Sequence, residues 1–140
     1  MASILKVDEM QGVTAAGDIT ITSEGGAATQ SLQQGLAKAW ANIDGTGTVA
    51  VADNLNVSSL ADNGTGDYTM SFSTNMGNAV YAVASHTGGA GQNVVTNRGA
   101  SGAGYTYQTT SSNRVGNRNT SDQNWNDFDP ITVVFFGDLA

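Results

Sequence analysis

Lys38-Ala39-Trp40-Ala41-Asn42-Ile43-Asp44-Gly45-Thr46-Gly47-Thr48-Val49-Ala50-Val51 divides the chain into two unequal parts. Trp40 is the first large aromatic residue, so a core first becomes possible here, and the Gly/Thr link that follows turns the backbone into a next strand. Before this stretch lies a polar, glycine-spaced leader. After it, short apolar-polar alternations are separated by turn residues, the pattern of half-buried strands.

Downstream, Thr48–Ala52 and Asn54–Leu60 read as strands, the second placing Leu55 and Val57 on one face. Asn63-Gly64 within Ala61–Asp67 is a hairpin signal, because both residues tolerate positive φ. Tyr68, Met70 and Phe72 then alternate with Thr69, Ser71 and Ser73, one face apolar and the other wet. Ala79–Ser85 is a further strand with Tyr81 and Val83 inward. Ser112–Asn119 is a polar strand, and Asn124–Pro130 a loop. Ile131–Phe136 is a nearly continuous apolar run, expected as a central strand buried on both faces, with Pro130 before it where no ladder is disrupted. The inward set is Trp40, Ile43, Val49, Leu55, Val57, Tyr68, Met70, Phe72, Tyr81, Val83, Val133 and Phe135. The expectation is all-β: an antiparallel, jelly-roll-like β-sandwich over residues 38–140.

Upstream, residues 1–37 form a separate arm. Ile4–Glu9 and Asp18–Thr22 read as strands too poor in apolar residues to stand alone in water. A loosely ordered tail is one reading. An arm that docks or intertwines through Ile4, Leu5, Val7, Ile19, Ile21, Leu32 and Leu36 is the other, and the expected one. Leu32, Leu36, Ala39 and Ile43 follow heptad-like spacing, which predicts a short helix over Thr29–Ala37 with Thr29 or Ser31 as N-cap. Three such helices about an axis would bury Leu32 and Leu36; a single helical turn that covers an open end of the sandwich is the alternative.

With 12 acidic against 5 basic residues the net charge is −7, which repels phosphate backbones and anionic lipid and argues against nucleic acid and membrane as partners. There is no Cys, hence no disulfide and no thiolate metal site. The Met1–Asp8 segment lacks the basic-then-apolar pattern of a signal peptide, and no apolar run approaches the ~20 residues of a membrane span.

Chemistry is sparse. His86 is the sole histidine, stands beside Thr87-Gly88-Gly89 and has no nucleophile motif, so a surface or loop residue is expected. Asp127 and Asp129 flank Phe128 near Trp125, but nothing in the sequence separates their pKa values as a glycosidase pair requires, so a solvated turn is expected. Asp62–Asp67 gathers oxygen ligands outside the EF-hand register, and hairpin chemistry explains the same residues. No cofactor and no catalytic activity are expected. Tyr105, Tyr107, Arg114, Arg118 and Trp125 suit contact with a glycan or protein, or else fill a core short of large side chains.

Gly35–Val51 resembles the start of a domain that recurs in tail-fibre-like and other virion proteins of marine bacteriophages. The resemblance continues through Asp53–Ser59, Asp62–Thr69, Asn78–Val83 and Val133–Asp138, while residues 86–130 match only loosely. It implies a structural virion protein, commonly a homotrimer, forming a fibre, spike or surface decoration among other phage virion proteins after assembly in the host cytoplasm. A capsid decoration (cement) protein and a carbohydrate-binding module are the alternatives.

Overall fold

The computed structural model describes residues 4–15, 19–88, 93–97 (backbone only) and 107–140. It resolves into two compact units, Met1–Leu36 and Ala37–Ala140.

In the first unit, β1 (Thr20–Thr22) pairs antiparallel with β2 (Thr29–Ser31), and one helical turn, α1 (Leu32–Gly35), follows. The helix is shorter than its apolar spacing predicts, for two reasons. Thr29–Ser31 is recruited into the hairpin, and Gly35, a poor helix former, ends the turn. Ser31 is the N-cap, its hydroxyl accepting from the Gln34 N–H. Ile4–Glu9 is not a strand, since no neighbouring strand pairs with it among the described residues. No described residue of this unit is buried.

The second unit is the all-β sandwich. Its strands are β3 (Ala39–Asp44), β4 (Ala50–Leu55), β5 (Val57–Gly64), β6 (Asp67–Phe72), β7 (Ala82–Thr87), β8 (Asn93–Asn97), β9 (Ser112–Asn119) and β10 (Ile131–Phe136). They form two four-stranded antiparallel sheets, ordered β4-β3-β10-β7 and β5-β6-β9-β8. Between them lie Ala39, Ala41, Ile43, Val57, Tyr68, Met70, Phe72, Met76, Tyr81, Val115, Ile131, Val133 and Phe135. Phe72, Tyr81 and Phe135 meet edge-to-face, with centroids 5.2–5.9 Å apart, an arrangement that the ring quadrupoles favour over stacking.

Two inward assignments are corrected by pleat and hinge. Trp40 and Ile43 have opposite parity in one strand, so they cannot share a face. Ala39, Ala41 and Ile43 point inward, and Trp40 lies half-buried on the outside. Leu55 and Val57 likewise part company. Asn56, at φ 57°, breaks the predicted strand and sends the chain from one sheet to the other, leaving Leu55 outside and Val57 in the core. Strand β10 is central as expected, but only its inner face (Ile131, Val133, Phe135) is sealed, with Thr132, Val134 and Phe136 half-covered outside.

Asn56 also fastens its hinge. Its Oδ1 accepts from Thr74 N–H at 2.6 Å, and its Nδ2 donates to the carbonyls of Lys38 and Thr74. Asn56→Ala is expected to lower stability by about 2 kcal/mol, from the lost bonds and the cost of alanine at left-handed φ. Urea denaturation checks this, and Asn56→Gly should recover the conformational part only.

Candidate functional site

Strand β9 carries the residues singled out for recognition. Its pleat sends Asn113, Val115 and Asn117 into the core, and Arg114 and Arg118 to the outer face. Arg114 sits diagonally across from Asp67 on β6, which pairs with Gly116. Their contact is bidentate: Arg114 Nε donates to Asp67 Oδ1 at 2.7 Å and Nη2 to Oδ2 at 2.6 Å. Asp67 is only 4% exposed, and the Arg114 guanidinium sets an opposite charge against its carboxylate. The same bonds raise the already high pKa of Arg114. On its other side the guanidinium lies 4.6 Å from the centroid of the Tyr107 ring. Both oxygens of Asp67 thereby accept from the guanidinium.

Four residues along β9, Arg118 approaches the Trp125 ring at 5.8 Å, and the two residues share a backbone bridge. Among the described residues, the buried Nε of Arg118 has no hydrogen-bond partner. The structure thus brings together Tyr107 with Arg114 and Arg118 with Trp125. Tyr105 and Arg98 lie outside the described residues, as do Asp18 and the glycines at 89, 91, 99, 102 and 104. Among the described members of the set, Tyr107 is the most available, at 38% exposure.

A second constellation was not visible in the sequence. Where the 45–48, 65–66 and 124–130 segments meet, Asp127 Oδ1 accepts from the Gly66 N–H and from the Tyr68 hydroxyl, both at 2.6 Å. The Tyr68 hydroxyl also lies 3.3 Å from the Gly45 carbonyl, but its single proton goes to the shorter bond with the carboxylate. Gly45 N–H donates to the Phe128 carbonyl at 2.9 Å, and Asn117 N–H to the Gly66 carbonyl at 2.8 Å. Burial, and then the neighbouring Asp127 carboxylate, push ionisation of Tyr68 well above the ordinary phenol value, so it stays a neutral donor. Asp127 is therefore a tie between loops rather than a purely solvated turn residue. The hairpin itself turns at Thr65-Gly66, with Asn63 bulged, because Gly66 (φ 63°) must pass against the backbone of Asn117 and Asn126.

His86 is exposed, but on strand β7 rather than in a loop. The described residues contain no group of three or more His, Cys, Asp or Glu placed to hold a metal ion. Asn113 and Asn117 are fully buried between the sheets, each with its amide oxygen unpartnered among the described residues.

The anchor residues are open to contact in their own unit. Ile4, Leu5, Val7, Ile21 and Leu36 are each at least half exposed, and Ile19 and Leu32 are half-buried. Ile19 contributes its carbonyl to the Leu32 N–H at 2.8 Å, the bond that joins the hairpin to the helical turn. Comparison with family models, with curated proteins and with solved structures finds no match to this chain.

Proposed function

We propose that the protein is a non-enzymatic structural component of a bacteriophage virion, held in the particle by its leader and projecting the β-sandwich outward. The observation that carries this reading is the contrast between the two units. The sandwich has a sealed core with an interlocked aromatic trio. The leader has no buried residue among those described, yet it offers apolar side chains that water penalises. A segment of that kind is ordered by what covers it, and a trimer of leaders or a site on the particle supplies the cover.

Within this reading, a tail-fibre or spike role requires recognition chemistry on the β9 face. Arg114 is committed to Asp67, which favours the alternative, decoration or cementing of a capsid. Substituting Tyr107 and measuring adsorption to host cells separates the two. Loss of adsorption supports adhesion, whereas particles that adsorb normally but lose thermal stability when the protein is removed support decoration.

Deleting residues 1–28 is expected to leave a folded sandwich, with the β-type circular dichroism of the full chain, that no longer enters particles. At low concentration the full chain should sediment at about three times 14.3 kDa and the truncation as a smaller species. Normal incorporation of the truncation would sink the anchor assignment.

A further inference from the structure

The outer face of the β4-β3-β10-β7 sheet carries two cross-strand rows of different character. One runs Leu55, Trp40, Val134, Ala84, and the next Asp53, Asn42, Thr132, His86. The first is wholly apolar, with Leu55 48% exposed and Trp40 and Val134 half-buried. The second is acidic at one edge strand and carries an imidazole at the other.

We propose that this face pairs with the same face of a second copy about a twofold axis that runs along the strands, between β3 and β10. Such an operation leaves each row at its own level and reverses its order. Asp53 of one copy then stands over His86 of the other, twice. Leu55 stands over Ala84 and Trp40 over Val134, large against small in each case, and Asn42 over Thr132. An isologous interface requires this kind of self-complementarity. The imidazole N–H donates to the carboxylate in either charge state. Two sheets packed in this way keep their strands roughly aligned, with side chains filling the ~10 Å between them. In a chain of net charge −7, copies repel one another over most of the surface, and the apolar row with its matched acid and imidazole offers a route around that repulsion.

The area sets the strength. Six-residue strands at ~3.3 Å per residue and four strands at ~4.8 Å spacing cover roughly 20 by 15–20 Å, about half of the ~800 Å² per partner typical of stable complexes. The pairing is therefore reversible and concentration-dependent, and it does not rest on the leader.

Sedimentation of the full chain across a concentration series tests it. The wild type is expected to double in mass with concentration, whether the unit that doubles is a monomer or a leader-held trimer. His86→Asp, which sets carboxylate over carboxylate at two places, should weaken doubling at least about tenfold. Adding Asp53→Lys to it should restore doubling. Orientation has its own readout, since the chain has no cysteine. In the variant L55C/A84C the two thiols of one copy lie three strand spacings apart, ~14 Å, whereas across the pairing the two backbones stand ~10 Å apart, too far for a disulfide but within reach of a short bis-maleimide of about 8 Å span. Treatment with that cross-linker should therefore yield a covalent dimer. A mass that does not rise with concentration, doubling by His86→Asp equal to wild type, or no covalent dimer would each overturn the pairing. A failed leader assignment would change the unit that doubles, not the doubling.

Discussion

Arg114→Met is expected to destabilise the sandwich by about 2–4 kcal/mol. Removing one partner of a buried ion pair costs about 3–5 kcal/mol because the other charge is left without compensation, and the 24% exposure of the Arg114 side chain moves the expectation to the lower part of that range. The group that loses its guanidinium partner is Asp67, beside the hairpin and directly across from Gly116. In a domain of this size each kcal/mol moves Tm by about 4–8 °C, so thermal denaturation should show a fall of about 10–25 °C. Asp67→Asn on its own should also destabilise. The double variant Asp67→Asn with Arg114→Met should recover much of the loss, since a neutral pair leaves no buried charge, and the cycle should show coupling of about 1–3 kcal/mol. Additive losses in the cycle would mean that the two residues act independently. There is a consequence for function: a loss of host adsorption on changing Arg114 reports on folding as much as on recognition, and Tyr107, exposed and carrying no buried charge, is the residue to change.

Gly66→Ala is expected to cost about 3–5 kcal/mol. Gly66 has φ 63°, where an L-residue pays about 1–2 kcal/mol. An added Cβ would also collide with the Asn117 carbonyl and with the Asn126 backbone, and that overpacking costs about 1–3 kcal/mol. Relief of the clash would pull Gly66 N–H away from Asp127 and loosen the Tyr68 tie at the same corner. Gly47→Ala is the control. Gly47 has a similar φ of 60° with open space around its Cα, so it should cost only about 1–2 kcal/mol. Equal effects from the two variants, in urea denaturation, would show that backbone conformation alone matters and that the packed corner contributes nothing.

Strands with clean alternation or a continuous apolar run were legible from residues alone. Tyr68-Thr69-Met70-Ser71-Phe72 lies within β6, and Ser112–Asn119 and Ile131–Phe136 are β9 and β10 to the residue. Where alternation was ambiguous, parity decided. Ala39-Trp40-Ala41-Asn42-Ile43 offers either Trp40 or the Ala/Ile set to the core, and the structure buries Ala39, Ala41 and Ile43 and leaves Trp40 half-buried. The Asn56 hinge was hidden because asparagine at left-handed φ looks the same in sequence as asparagine in a strand. The pairings that define the candidate site join residues far apart in the chain. Arg114 and Asp67 are 47 positions apart, and Tyr68 and Asp127 are 59. Only the strand order β5-β6-β9-β8 and the return of the 124–130 segment bring them together, and neither local pattern nor propensity encodes that order.

The most direct test of the proposed role is the position of the protein on the particle. Purified virions labelled through a tag at the C-terminus should show, by electron microscopy, density at regular sites on the outer surface, on tail or capsid. Those sites should be empty on particles made with the chain that lacks residues 1–28. Particles without label, or equal labelling with the truncated chain, would contradict the account.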